Sequence, residues 1–351
     1  MKILIYHIGS LGDTLITVPA LWVVRETFPD AHITMLTNER SEQSLIQACD
    51  ILNGSGLVDD YILYPVGNFV EIARLLIQLR IRKFDSLIYL IRAYADDRRI
   101  RRDKLFFKLA GIKQSIGMQG ICKQPQKSPG NSMSTVPHMA DTFLARLAAD
   151  GLNTPLPGQG RVDINVGERE QENIRQWLMN QPDDGGRGWF ALSLGSKMPC
   201  KIWPYERYLA ISQHLIGEYD LWPVVFGGLE DRSLGQKLVQ ELGRGYVPAG
   251  VLGIRDSIAA MERCLLYIGN DTGTMHMAVA SGIRCIALFS SRDFPGLWYP
   301  YGDDHIVLRS QIDCEGCKLE RCIERKNECL NMIGVEEVYN GCEQMITSLK
   351  K

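Results

Sequence analysis

No run of roughly 18–20 consecutive apolar residues, the length needed to cross a bilayer, occurs in this chain of 351 residues. A membrane-spanning helix is therefore not expected. Excess charge is also lacking: 39 Lys and Arg stand against 41 Asp and Glu, a net −2, so no global field recruits nucleic acid or membrane. The apolar run after Lys2 is short, is broken by Asp13 and precedes no small-residue cleavage site. A secretory leader is not expected, and a cytoplasmic location is. No strand is followed by three glycines in the G-x-G-x-x-G spacing, which argues against a nicotinamide cofactor. No G-x-x-x-x-G-K-[ST] loop appears, which argues against ATP hydrolysis of that type.

What is present organises around the opening stretch. Lys2 to Ile8 is a short apolar run rich in β-branched residues and reads as a buried strand. Gly9-Ser10-Leu11-Gly12 reads as a tight turn, and Asp13 sits at the mouth of a helix that stops at Pro29. The plain reading of Asp13 is a helix cap. The glycines favour a functional one, because they let backbone and ligand approach closely and a simple cap needs neither.

Strands and helices then alternate. Strands are expected at His32–Thr37, Asp60–Tyr64, Asp85–Ile91 and Ser115–Met118, and helices at Ser41–Ala48, Asn68–Ile81 and His138–Ala149. Lys123 to Pro137 has the composition of a loop. A basic segment follows the fourth strand: Arg92, Arg98, Arg99, Arg101, Arg102, Lys104 and Lys108. It reads either as a solvated helix face or as a patch for an anionic acceptor, since Arg forks match phosphate and carboxylate. Prolines and glycines from Leu152 to Gly160 mark a linker. The alternation repeats from Glu168 to Phe289, and Val335–Leu349 reads as a closing helix. The expected fold is α/β, with two doubly wound parallel-sheet domains and a cleft between them. The boundaries are 1–160, 161–334 with a Cys-rich segment 314–329, and a terminal helical segment 335–351.

Three strand ends in the second half suit a phosphorylated ligand: Gly195-Ser196 with Lys197 and Lys201, Gly227-Gly228 with Glu230 and Asp231, and Asp271-Thr272-Gly273-Thr274 with His276 one turn on. A helix N-terminus offers unpaired N–H groups and roughly half a positive charge, so a pyrophosphate can bind there without a metal. Lys201 can add charge beside the leaving phosphate, and Glu230 or Asp231 can accept from ribose hydroxyls. The bland reading is an Asx turn and a core histidine.

Ten cysteines are many for a cytoplasmic chain. Four cluster as Cys314-x-x-Cys317, Cys322 and Cys329. A four-thiolate structural zinc or iron site, free structural thiols, and disulfides all remain open, the compartment arguing against the last.

The stretch Ile8-Gly-Ser-Leu-Gly-Asp-Thr-Leu-Ile-Thr-Val-Pro-Ala-Leu21 resembles the opening signature of the family 9 glycosyltransferases, the lipopolysaccharide heptosyltransferases. Lys201-Ile-Trp-Pro204 with Glu206 resembles that family's K-x-W-P-x-E segment. Val225 to Asp231 resembles its second-strand loop, and Asn270-Asp-Thr-Gly-Thr-Met-His276 its D-T-G-x-x-H motif. The resemblance implies a GT-B fold, with the acceptor on the first Rossmann-like domain, the nucleotide sugar on the second and the last helix packed back on the first. It implies Asp13 as general base, Lys201 on the donor phosphates, Asp271 at the transferred sugar, Thr272, Gly273 and Thr274 on the pyrophosphate, and His276 beside them. Ser196 and Glu230 or Asp231 would line the nucleoside pocket. Gly9, Ser10, Gly12, Arg92 and Arg98 would face the acceptor. The implied reaction is inverting and needs no cofactor. It moves a heptose from ADP-heptose to a lipid-linked or other envelope glycan; the basic segment from Arg92 to Lys108 suggests that this acceptor is anionic, which allows peripheral contact at the inner membrane. The alternatives are a sugar epimerase or hydrolase on the same scaffold, or a silent nucleotide-sugar-binding protein.

Overall fold

The computed structural model describes residues 1–39, 46–65, 69–92, 97–120 and 133–349. Two compact units are formed, Met1–Gln126 with Pro137–Asn165, and Lys127–Val136 with Val166–Lys351.

The first unit runs β1 (Lys2–Tyr6), α1 (Leu11–Thr27), β2 (His32–Asn38), α2 (Ala48–Leu52), β3 (Asp60–Tyr64), α3 (Phe69–Arg82), β4 (Ser86–Tyr89), α4 (Asp97–Leu109), β5 (Gln114–Ile116) and α5 (Met139–Ala149). Its five strands are parallel in the order β3-β2-β1-β4-β5. β1 is central, and Ile3, Leu4 and Ile5 are fully buried, as a strand covered on both faces requires. Thr14 to Val24 of α1 are all buried, which is why that stretch lacks a polar face. On the other sheet face Leu75, Leu79 and Phe107 of α3 and α4 join Leu4, Tyr6 and Tyr89 in one core.

The second unit runs α6 (Glu168–Leu178), β6 (Trp189–Ser193), α7 (Tyr205–Tyr219), β7 (Trp222–Val225), α8 (Arg232–Leu242), α9 (Ile254–Met261), β8 (Cys264–Asn270), α10 (Gly273–Ala280), β9 (Arg284–Phe289), β10 (Ile306–Arg309), α11 (Glu328–Asn331) and α12 (Val335–Leu349). Its strands are parallel in the order β10-β9-β8-β6-β7.

Several expectations differ from the structure. The helix expected over Ser41–Ala48 lies mostly outside the described residues, as does most of the loop Lys123–Pro137, and α2 begins only at Ala48. The edge strand β10 carries no apolar alternation strong enough to announce it. The expected boundary at 160 falls short of Asn165. Trp22 Nε1 donates to Asp163 O at 2.8 Å and Asn165 Nδ2 to Ser55 O at 2.7 Å, which ties this stretch to the first unit. Residues 133–136 belong with the second unit, where Val136 N donates to Pro295 O and Met133 N to Glu315 Oε2. The resemblance packs the closing helix back on the first domain. In the structure α12 is built into the second core instead, where Val338, Cys342, Met345 and Ile346 pack with Ile286 and Leu288 of β9.

Candidate active site

In the first sheet the strand order reverses between β1 and β4, because the chain leaves β1 towards β2 on one side and reaches β4 on the other. The carboxyl ends flanking such a reversal leave a crevice where open α/β sheets bind ligands. Asp13 stands there. Ser10 is the N-cap of α1 and Asp13 is the third helical residue, so the plain reading of Asp13 as the cap does not hold. Its carboxylate accepts from Ser10 N at 2.8 Å and from Ser10 Oγ at 2.9 Å. Arg92, just past β4, closes the other side, its Nη2 2.7 Å from Asp13 Oδ1. Burial pushes the Asp13 carboxyl up, but Arg92 and Ser10 outweigh it and hold it below the usual carboxylate range. The group is ionised at neutral pH.

The need for Gly9 is steric. A Cβ built there would stand 2.4 Å from Asp13 Cβ, so any other residue displaces the carboxylate. Gly9 N donates to Asn38 Oδ1 at the end of β2. Buried His7 places Nδ1 3.1 Å from Leu90 O and Nε2 3.3 Å from Thr14 Oγ1. Burial lowers its pKa, so the ring is neutral and links β1, β4 and α1. Arg146 of α5 is 2% exposed. Its guanidinium donates to Ile91 O at 2.8 Å, to Tyr89 O at 2.6 Å and to Gly117 O at 2.7 Å. It thereby fixes the strand end from which Arg92 projects. His7, Asn38 and Arg146 escaped the sequence reading. The one available signal was a polar residue, His7, ending an apolar strand.

The basic segment does not act as one patch. Arg92 turns onto Asp13. Arg99 and Arg102 of α4 pair with buried Asp103 at 3.8 and 2.8 Å, and Asp103 also accepts from Tyr89 Oη at 2.9 Å. Arg98, Arg101, Lys104 and Lys108 are exposed on the outer side of α4.

In the second sheet the reversal lies between β6 and β8. There Asn270, fully buried, donates to Leu194 O at 3.1 Å and Gly195 O at 3.3 Å, and accepts from Trp203 N at 3.0 Å. Trp203 is itself fully buried, with Nε1 on Ile333 O at 3.0 Å. This anchor holds the preceding turn, Pro199–Lys201, so that Lys201 Nζ lies 2.6 Å from Asp271 Oδ2, both side chains nearly buried. Burial pushes the Asp271 carboxyl up against the opposing charge of Lys201. Thr272 is the N-cap of α10, which leaves the N–H groups of Gly273 and Thr274 in the first turn without an intrahelical acceptor. His276 is buried one turn on. Lys201, Asp271, Thr272, Gly273 and Thr274 are thus brought to one point.

The remaining donor candidates sit at neighbouring strand ends. Ser196 Oγ accepts from Met198 N at 3.2 Å. Asp231 turns inward, accepting from Gly228 N at 2.9 Å. A Cβ at Gly195 or Gly227 would fall 1.8 or 2.3 Å from its carboxylate oxygens. Asp231 therefore lies close against the backbone at Gly195 and Gly227, and Glu230 is the more exposed of the two acids.

Cys314, Cys317, Cys322 and Cys329 line one small cavity of about 20 Å³ together with Cys200, Arg292 and Glu328. The nine described cysteines are unbridged. Among the described residues no three His, Cys, Asp or Glu side chains converge as ligands of a single metal ion. The segment reaches the Lys201 turn directly: Cys200 N donates to Glu320 O at 3.2 Å, Cys200 Sγ to Leu319 O at 2.9 Å, and Asn327 Nδ2 to Pro199 O at 3.0 Å.

The family model of glycosyltransferase family 9 (heptosyltransferase) matches residues 124–328, more than half of the chain. Lipopolysaccharide heptosyltransferase 2 of Salmonella typhimurium is 30% identical over 104 residues, 27% of this chain and 29% of that protein. The chain thus matches less than a third of that curated relative's length. Among solved structures, the glycosyl transferase family 9 from Veillonella parvula has a TM-score of 0.72 at 21% identity, covering 99% of this chain and 97% of that one. The E. coli ADP-heptose lps heptosyltransferase II has a TM-score of 0.71 at 18% identity, covering all of both chains. The structural likenesses establish the GT-B fold, and by the family match over more than half of its residues the chain belongs to glycosyltransferase family 9.

Proposed function

We propose that the chain transfers a heptose from ADP-heptose to a cell-envelope glycan such as lipopolysaccharide core, with inversion at the anomeric carbon. The observation that carries this reading is the Lys201–Asp271 pair at the N-terminus of α10, a cation and free N–H groups set where a diphosphate needs them. The family match and the heptosyltransferase relatives support the donor class.

In the reaction, an acceptor hydroxyl oxygen forms a bond to the anomeric carbon while the bond from that carbon to the diphosphate oxygen breaks. ADP leaves with the electron pair, and the hydroxyl proton passes to the Asp13 carboxylate. Lys201 and the N–H groups of Gly273 and Thr274 stabilise the charge that develops on the leaving diphosphate. Asp271 holds Lys201 in place and faces the transferred sugar, with His276 behind it. Ser196 and Glu230 meet the nucleoside. Ser10 and Gly12 shape the acceptor's approach, and Arg92 meets an anionic group on the acceptor while keeping Asp13 charged. A paired carboxylate is a weak base, so positioning of the hydroxyl supplies most of the help. No cofactor enters these steps.

The thiol-lined cavity is read as the seat of a structural zinc or iron ion. Thiolate donors suit either metal. The ion's part would be to draw the side chains together and stiffen the segment behind the Lys201 turn.

The test is incubation of the purified chain with ADP-heptose and a heptose-deficient core glycan, followed by ADP release and product mass. A product heavier by one heptose supports the reading. Stabilisation by ADP-heptose without any glycan product would overturn it in favour of a binding protein, and free heptose or an epimer would favour the other enzymes.

A further inference from the structure

Helices α3 and α4 each bury one side, through Leu75 and Leu79 and through Phe107. Their other sides are unusual for a solvated surface. Val70, Ile77 and Ile81 on α3 and Leu105 and Leu109 on α4 are each more than half exposed. At helical pitch Val70, Arg74, Ile77 and Ile81 fall in one stripe about 60° wide, and Arg98, Arg101, Leu105, Lys108 and Leu109 in another about 100° wide. The two helices are neighbours, Arg80 Nη1 of α3 donating to Leu109 O at the end of α4 at 2.9 Å. The result is a surface of aliphatic side chains set among arginines and lysines.

Charge decides what such a surface meets. The two helices carry nine Arg and Lys against three acids, in a chain whose net charge is −2. Asp103, one of those acids, is buried and occupied by Tyr89, Arg99 and Arg102. A dry protein interface depletes charge at its centre, whereas here cations alternate with the aliphatic side chains. Aliphatic groups that enter the headgroup layer while Lys and Arg stay at lipid phosphates need that alternation. Among the described residues no helix is long and apolar enough to cross a bilayer, so contact would be peripheral.

We propose that the outer face of α3 and α4 docks the protein on an anionic phospholipid bilayer. The proposal deepens the reading above, since a lipid-borne acceptor lies at such a surface. It also divides the basic segment: Arg92 serves Asp13, and Arg101 and Lys108 serve the bilayer.

Co-sedimentation of the full chain with phosphatidylethanolamine–phosphatidylglycerol vesicles and with phosphatidylcholine vesicles tests it. Each cation near an anionic surface is worth roughly a fivefold gain in partition. Binding to the anionic vesicles should therefore be at least about tenfold tighter and should fall with salt. Ile77→Glu/Ile81→Glu and, separately, Arg101→Ala/Lys108→Ala should each weaken it about tenfold or more with an unchanged melting temperature. Equal binding to both vesicle types, or undiminished binding by both double variants, would overturn the proposal. So would a concentration-dependent doubling of mass that Ile77→Glu/Ile81→Glu abolishes, because the face would then be a self-association surface. Transfer to a delipidated, water-soluble acceptor should be the same in wild type and variants. If wild type binds anionic vesicles yet transfers nothing to that acceptor, the heptosyltransferase reading fails and the docking face stands.

Discussion

Asp13 and Arg92 lie 79 positions apart in the chain and 2.7 Å apart in the structure, across the strand reversal of the first sheet. The second sheet repeats the arrangement with Lys201 and Asp271, 2.6 Å apart. Each unit therefore places one close ion pair at the point where its strand order opens a crevice.

Replacing Asp13 by Asn keeps the shape and removes the base. Transfer should fall by about 10²–10⁴-fold with the fold intact, checked by initial rates and circular dichroism. Retention of most of the turnover would sink the assignment.

The Asp13 pKa is depressed, so its contribution to stability is present above the unfolded-state value near 3.8 and is lost as pH falls through the lower folded value. Acidification from neutral pH should thus destabilise wild type more than Asp13→Asn in urea melts. In Arg92→Ala, burial acts on Asp13 without its counter-charge. The acid limb of the pH–rate profile should then move to higher pH. An unmoved limb would show that another group controls it.

Gly9→Ala should cost activity through geometry alone. The added methyl carbon meets Asp13 Cβ, which is backbone-anchored and cannot swing aside. A loss of about tenfold or more in kcat, the scale of misplacing a catalytic group by under an ångström, should accompany a small change in melting temperature. Wild-type kcat would show that the turn relaxes freely.

Lys201→Ala leaves Asp271 buried with its counter-charge gone. The expected loss is about 3 kcal/mol in denaturant melts, together with weaker ADP binding by titration calorimetry. Adding Asp271→Asn should restore part of the stability but not the ADP affinity. Equal destabilisation by the single and double variants would show that the unpaired Asp271 charge is not the source of the loss.

Metal analysis of chain purified without added metal separates the readings of the cysteine cavity. One equivalent of zinc or iron, lost in Cys314→Ser/Cys317→Ser along with several degrees of melting temperature, supports the structural ion. A metal-free chain that melts like the double variant would identify the thiols as packing residues.

The sequence alone determined the alternation of strands and helices, because period-2 and period-3.6 apolar patterns are local. It also determined the glycine-flanked turn before Asp13 and the Asp271–Thr274 turn, because both lie within a few residues of a strand end. What those turns touch depends on residues far away in the chain. Arg92 looked like one cation among seven, and Asp231 like a ligand-facing acid, until strand order set Arg92 against Asp13 and turned Asp231 onto Gly195 and Gly227. Likewise α12 reads only as amphipathic, and which sheet it covers depends on side chains far away in the chain, Ile286 and Leu288 among them. Local pattern fixes the elements, whereas pairing across the strand reversals is non-local and appears only once the sheets are ordered.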